Sequence, residues 1–477
     1  MICTPMVLVL AGVLLPSAAA QPADSFAIRV VDDQTGRGVP LVALETTNNV
    51  RQYTDSNGWV AFYEPGLMDQ TVHFRVSSHG YEYPKDGFGI AGVRLKTTPG
   101  GRAELKIKRI NIAERLYRIT GGGIYRDSVL LGEKVPTTQP VLQAQVHGCD
   151  SIQSVIHKGR LYWFWGDTNW TQYPLGNFNM SGAWLDLPGR GGLDPEVGVN
   201  LHYFIRENGF AREMAPIPGR GPSWLAAPIV LRDDRTGPAG RERLLMAYSK
   251  IKDASMETYE RGLAEWNESR EILEKVAEWN LKHPAAPGGC AFRARGADGE
   301  HVYFCTPFPL TRVRPDPKLF ENLDNFEMFT CLKEGTRIED AQLDRGTDGR
   351  LRYAWKRNTP VLNQKQQLDL VREGKMKPEE GLIQLCDVQT GKTVLAHGGS
   401  VFWNSYRQAW IAVFVEIFGT SVLGEVWYAE APTPLGPWVA CRRIVTHSNY
   451  TFYNPLHHPY FDKEGGRVVF FEGTYCN

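Results

Sequence analysis

The sequence predicts an all-β protein, an N-terminal β-sandwich followed by a β-propeller. Three observations predict it. Short apolar runs alternate with turns along almost the whole chain, as half-buried strands do. Turn formers are abundant, with 48 glycines and 30 prolines in 477 residues, while amphipathic helical runs are few. From His147 onward a hairpin-led unit recurs, which is how a protein built of blades reads.

Residues 1–20 carry no charge and contain an apolar run, Val7–Leu15, followed by Ala18-Ala19-Ala20. That is the pattern of a secretory signal peptide, so a secreted or periplasmic location is expected. No segment reaches the roughly 20 apolar residues that a membrane helix needs, so no membrane span is expected. Seven cysteines follow the leader: Cys149, Cys290, Cys305, Cys331, Cys386, Cys441 and Cys476. Their odd number and wide spacing argue against a zinc cluster and a dense disulfide framework. Lys+Arg and Asp+Glu both number 53, so no nucleic acid or other polyanion is an expected partner.

Residues 21–112 read as short strands and turns. Phe26–Val31 alternates, Val39–Leu44 follows a turn at Asp33–Gly36, and Asn57-Gly58 joins two further strands. Thr71–Ser78 and Ala103–Ile110 complete the set. The run V-D-D-x-T-G-x-x-V-P, the T-D-x-N-G turn and the closing H-G-Y resemble the carboxypeptidase regulatory-like, transthyretin-like β-sandwich. That resemblance implies a docking, spacer or sugar-contacting module without chemistry of its own. Residues 113–146 read as a linker, with a bend at Gly121–Gly123 and a possible strand at Ser128–Leu131.

Residues 147–477 read as the propeller, with five blades favoured over six because residues 290–396 fit either one distorted blade or two. Inner hairpins are expected at Asp150–Asp167, Trp224–Lys250, Cys290–Thr306, Asp340–Lys356, Ser400–Glu416 and His457–Glu472. Third-to-fourth strand pairs are clearest at Arg261–Trp279 and Gly424–Ile444. Gln364–Glu380 reads as an inserted helix with Leu368 and Val371 on its apolar face. The last unit supplies only two strands, so a strand near Val129–Leu131 is one candidate to complete it, and a truncated chain is the other reading.

The first hairpin turns at Lys158-Gly159, and its register sets Asp150 opposite Asp167. Two carboxylates that close repel, and one should hold its proton more tightly. The same arithmetic sets Glu416 opposite His397, Glu472 opposite His457, and Lys356 opposite Glu339 with Asp340 beside it. A slip of one residue would turn any of these side chains to the other face. Trp165, Trp170 and Trp224 are candidate platforms for sugar rings, whose faces are apolar while their rims need hydrogen bonds. Most such rings in a protein of this size fill blade interfaces instead.

The segments G-x-D-S … W-F-W-G-D-T around Asp150 and V-W-Y-A-E-A-x-T-P-x-G-P-W at Val426–Trp438 resemble five-bladed propeller glycosidases. The resemblance implies a hydrolase with Asp150 as general base and a glutamate from a later blade as general acid. Glu416 fits that place by blade order, with Glu472 as its rival. Asp167 would tune Asp150 or hold a sugar hydroxyl. Lys356, His397, His457 and Glu472 would contact substrate. The implied partner is carbohydrate and no cofactor is required, although His457 could hold a single axial metal. A propeller that only binds a glycan or protein is the alternative. A lyase using His397 or His457 with Tyr453 is a further one. No G-x-S-x-G, H-E-x-x-H or Walker pattern points to other chemistry.

Overall fold

The computed structural model describes residues 24–237, 240–340, 342–447 and 451–476, with only the backbone described for Thr451 and Cys476. The expected leader, residues 1–20, lies outside them. The described chain is all-β with several sheets, and no helix in it is long and apolar enough to cross a membrane.

The N-terminal part contains two four-stranded sheets. One runs in the order Trp59–Phe62, Phe26–Asp32, Arg102–Arg109, Tyr81–Glu82, and the other Arg51–Tyr53, Ala43–Thr46, Thr71–Ser77, Gly92–Lys96. Alternation puts Val72, Phe74 and Val76 on one face of their strand. They share one apolar cluster with Ile28, Val30, Phe62, Leu105 and Ile107 of the other sheet. Gly58 is required where it stands: its φ is +80°, and a Cβ there would meet the Val30 carbonyl oxygen at 2.4 Å.

Residues 113–146 are fixed to both sides. Leu116, Tyr117 and Ile119 pack against the main core, and the Ala113 N–H donates to the Ile444 carbonyl. The strand expected near Val129–Leu131 is instead part of a short helix, Arg126–Leu130. Tertiary contacts decide that outcome. The Asp127 carboxylate accepts the Ala61 N–H (2.9 Å), and Asp55 accepts the Ser128 N–H (2.6 Å), which ties the helix to the strand at Trp59–Phe62.

From Val146 the chain forms a three-stranded sheet, Tyr173–Asn177, Thr168–Trp170 and Val146–Cys149, and five hairpin-led units. The first unit's sheet is Ile152–His157, Arg160–Trp165, Ser181–Asp186 and His202–Tyr203. The second is Ser223–Asp233, Arg241–Ile251, Thr258–Asn267 and Ile272–Trp279. The third has five strands, Cys290–Gly296, Gly299–Cys305, Thr311–Val313, Glu327–Thr330 and Ala354–Lys356. The fourth is Ala396–Asn404, Ala409–Ile417, Leu423–Ala431 and Trp438–Val445, extended by Ile383–Asp387 in parallel. The fifth is the pair Thr451–His457 and Phe471–Cys476. Contacts between leading strands run from each unit to the next, and Thr451–His457 touches both Ala396–Asn404 and Ile152–His157. These contacts close a circuit.

The inserted helix spans Gln364–Arg372, and its buried side is Gln364, Gln367 and Leu370, while Leu368 and Val371 are only half-buried. The two buried glutamines act as clamps. Gln367 Oε1 accepts the Leu382 and Ile383 N–H groups, and Gln364 Oε1 accepts the Ala396 N–H at 2.9 Å. The fourth unit's leading strand therefore starts at a fixed point.

Two expected hairpins are misplaced. Asp340–Lys356 is not an inner hairpin: Lys356 stands on the third sheet's outer strand, opposite Met328, while Glu339 and Asp340 lie on an exposed loop. The fifth hairpin begins at Thr451, so His457 lies at the far end of its strand, and Glu472 faces Leu456 instead of His457.

The second unit is locked by a buried cation. Lys250 is 1% exposed, and its Nζ donates to the carbonyls of Ile217 (3.1 Å), Gly219 (3.4 Å) and Gly221 (2.8 Å) and to Ser223 Oγ (3.1 Å). Removing the ammonium leaves three carbonyls unpaired, a cost of several hydrogen bonds to a charged group. Lys250→Met is expected to lower unfolding stability by about 3 kcal/mol, read as a lower urea midpoint at unchanged m-value.

Candidate functional site

The first hairpin has the register its sequence implies, with Ile152 opposite Trp165 and His157 opposite Arg160. Beyond its open end the Asp150 N–H donates to the Asp167 carbonyl at 2.8 Å, so the two acids stand side by side. Asp167 is held by its neighbour Thr168, which is fully buried and bonded to the Gly166 carbonyl (3.0 Å) and Ser181 Oγ (2.7 Å). Trp224 Nε1 donates to Asp167 Oδ1 at 3.4 Å, which brings the open end of the second unit to the same place. Asp150 is held from the other side. Ser151 Oγ donates to Asp150 Oδ1 (2.6 Å), and Asn454 Nδ2 donates to Ser151 Oγ (2.6 Å).

Asn454 also meets the fourth unit. A Cβ added to Gly398 would fall 2.7 Å from Asn454 Oδ1, so the two lie side by side. The open ends of the first, second, fourth and fifth units thus converge around Asp150 and Asp167. The Ala227 N–H adds the third by donating to the Gly289 carbonyl at 2.8 Å.

Glu416 stands at the open end of the fourth hairpin. Its expected partner, His397, is displaced by one residue. The register holds from Asn404↔Ala409 to Gly399↔Phe414, then a bulge shifts it and puts Ala396 opposite Glu416. His397 is exposed at that end. Trp427 Nε1 donates to Glu416 Oε2 at 2.9 Å, and Gly419 lies close enough that a Cβ would come within 2.9 Å of the same oxygen. The charged groups around Glu416 are Glu425, Arg443 and Asp387.

Both Asp167 and Glu416 titrate above the ordinary carboxylate range. Burial raises Asp167 most, the charge of Asp150 adds to it, and the Trp224 N–H opposes it. Burial likewise raises Glu416 most, with the Trp427 N–H opposing and Glu425 adding.

The remaining expected contacts go elsewhere. Trp165 is 3% exposed and stacks on Tyr203, so it fills the core. Trp170 stacks on Phe210 and donates from Nε1 to Gln145 Oε1 (2.8 Å). Lys356 Nζ is used by the Leu332 carbonyl (2.5 Å) and Asp344 (2.9 Å). His457 is buried with Nε2 against both oxygens of Asp462 (2.9 and 3.0 Å), which removes it as an axial metal ligand or lyase base at this end. Glu472 Oε2 faces His458 Nε2 at 3.6 Å, and His458 stacks on Trp163. The metal-spaced set Asp298, His301 and Glu327 is filled by Arg312, whose guanidinium bonds both carboxylates. Ser151 and Asn454 are the contributors that sequence reading missed. The only signal was Ser151's position beside Asp150, while Asn454 shows no pattern.

A cavity of about 930 Å³ lies between the N-terminal part and the fourth, fifth and first units. Trp163, Trp165, His458 and Glu472 line it, whereas Asp150, Asp167 and Glu416 do not. The six cysteines whose side chains are described are free thiols.

No protein-family model matches the chain, and no curated protein matches it. Solved structures do. A putative exo-β-1,3-galactanase from Bifidobacterium bifidum s17 is 9% identical over 75% of this chain and 86% of its own, with a TM-score of 0.34. An exo-1,5-α-L-arabinanase from a bovine ruminal metagenomic library is 11% identical over 70% and 89%, with a TM-score of 0.33. An exo-β-1,3-galactanase from Phanerochaete chrysosporium is 9% identical over 75% and 64%, with a TM-score of 0.35. At these values the likeness assigns neither family nor activity.

Asp167 gives a test of the site's electrostatics. Its folded-state pKa lies above its ordinary 3.8, so its ionised form costs stability. That cost is absent below 3.8, grows as pH rises to the folded value, and is full above it. Asp167→Asn keeps the acceptor for Trp224. It is expected to raise Tm by roughly 1–3 °C at neutral pH and to leave it unchanged near pH 3, read by calorimetry at both.

Proposed function

We propose that this chain is an exported glycoside hydrolase, built as a β-sandwich module ahead of a five-bladed β-propeller. The reading is carried by the Asp150–Asp167 pair at the open end of the first hairpin, with Trp224 reaching Asp167. Asp150, oriented by Ser151 and Asn454, is the general base that activates water. Glu416, whose carboxyl burial pushes above its ordinary value, is the general acid that protonates the leaving oxygen. Asp167 offers a hydrogen bond to a sugar hydroxyl. Acid and base come from different units, which suits the wider separation of an inverting enzyme, about 6.5–9.5 Å. The five-unit circuit of leading strands supports the blade count, and the apolar run at Val7–Leu15 supports export.

A second reading has its own observation: the large cavity excludes all three carboxyls, as in a propeller that binds a glycan without cleaving it. Release of reducing ends from arabinan, galactan and xylan separates the two. The hydrolase reading expects Asp150→Asn and Glu416→Gln each to cut release by roughly 10²–10⁴-fold while polymer binding persists. Proton NMR of the first product should show the inverted anomer. Binding by the unsubstituted protein with no release from any of the three polymers favours the binder.

A further inference from the structure

The leading hairpin of the third unit pairs Cys290–Gly296 with Gly299–Cys305 in one unbroken register. It runs from Gly296↔Gly299 at the turn to Cys290↔Cys305 at the open end. No bulge interrupts it, so the two cysteines face each other on one side of the hairpin. Directly opposed residues of an antiparallel pair have Cα atoms about 4.5–5.5 Å apart. Disulfides span about 4.4–6.8 Å between Cα atoms, so this backbone already holds the pair within bonding reach. Both residues are free thiols. Burial raises the Cys305 thiol well above its ordinary value, and a hydrogen-bond contact with the Cys290 thiol raises it further.

No other pair among the described cysteines is set this way. Cys149 lies against Thr168 and Ser181, and Cys331 lies beside Tyr353. Cys386 and Cys441 stand on neighbouring parallel strands but one residue out of step: Cys386 is opposite Ala440, and Asp387 is opposite Cys441. Alternation along a strand then sends their side chains to opposite faces. The open end where Cys290 and Cys305 meet is also a junction between units. The Gly289 carbonyl accepts the Ala227 N–H of the second unit, and the Val401 N–H of the fourth unit's leading strand reaches the Cys305 sulfur.

We propose that Cys290 and Cys305 form a disulfide when the chain folds in an oxidising compartment, closing the third hairpin covalently at the junction of three units. For its oxidant the proposal rests on the export reading; it is independent of the hydrolase reading. Both S–H bonds break and one S–S bond forms. The two protons and two electrons pass to a disulfide oxidant, which is reduced to two thiols. With oxidised glutathione the products are one protein disulfide and two molecules of glutathione. Cys290 is 5% and Cys305 0% exposed, both within the main core. A dissolved oxidant does not reach sulfurs so placed, and a protonated buried thiol is inert. The bond is therefore made before the core closes, and a pair that folds reduced stays reduced. Once made, it removes freedom from the unfolded chain and stabilises the unit.

The test uses the full chain and the variants Cys290→Ser, Cys305→Ser and Cys290→Ala/Cys305→Ala. Each is denatured, reduced and refolded in mixed reduced and oxidised glutathione. The unsubstituted chain is also produced, with its own residues 1–20, in a bacterium whose periplasm is oxidising. Unfolding in N-ethylmaleimide followed by intact mass counts the free thiols, and peptide mapping without reduction locates any link. The unsubstituted protein is expected to take up two fewer alkyl groups than its reduced form and to yield one linked peptide pair holding Cys290 and Cys305. That pair should be absent from every variant. Protein refolded under dithiothreitol should melt roughly 3–6 °C below protein refolded oxidised, a difference missing from the double alanine variant. The mapping needs only the unsubstituted chain, so a variant that does not fold leaves the result intact. Complete alkylation of both refolded and exported protein overturns the proposal, as does a link from either cysteine to a different one. A Cys290–Cys305 link in refolded protein, with the chain retained inside the cell, keeps the pair and sinks the export reading.

Discussion

Where the circuit of units closes, a short polar chain from Asn454 to Ser151 to Asp150 joins the last unit to the first, beside the stacking of His458 on Trp163. Sheets arranged around an axis share no strands, so the last unit must be joined to the first by side chains or by a borrowed strand. Among the described residues the fifth sheet borrows none; it is a lone hairpin. Closure therefore falls to contacts of its leading strand, and Asn454 makes the one that reaches the acid. The same amide presses on Gly398 of the fourth unit. One of the contacts that join the last unit to the first thus also orients Asp150.

The thin fifth unit also explains the segment after the N-terminal sheets. A two-stranded sheet leaves the flanks of its neighbours uncovered. Leu116, Tyr117 and Ile119 lie against the core there, and the Arg115 guanidinium bonds Pro40, Ser78, His79 and Tyr475 at once. What reads in sequence as a linker is part of the packing.

Stability and chemistry pull in opposite directions at the mouth. Burial that raises Asp167 and Glu416 disfavours their charged forms, a cost the fold carries at neutral pH. Lys250 shows the contrasting solution, in which a buried charge is wholly supplied with carbonyl partners and serves the fold alone.

Much of the local structure was legible in the amino-acid order. The Lys158-Gly159 turn and the alternation around it determine the first hairpin's register, and with it the pairing of Asp150 and Asp167, because a two-residue turn leaves no freedom to slip. The strand pairs read at Arg261–Trp279 and Gly424–Ile444 fall within the observed pairs Thr258–Trp279 and Leu423–Val445. Tertiary structure decided the rest. The bulge before Gly399 moved His397 off Glu416, set by the Gln364 clamp on Ala396 from a helix distant in sequence. His457 and Lys356 went to strand ends and outer edges because sheet order, not local pattern, determines which hairpin is innermost. Trp165 became core and Trp170 packed half-buried on Phe210 because rings that large are stabilised by burial against other side chains. Periodicity is a property of neighbours in the chain and survives in the sequence; the meeting of Asn454 with Asp150 belongs to closure, which only the folded chain can perform.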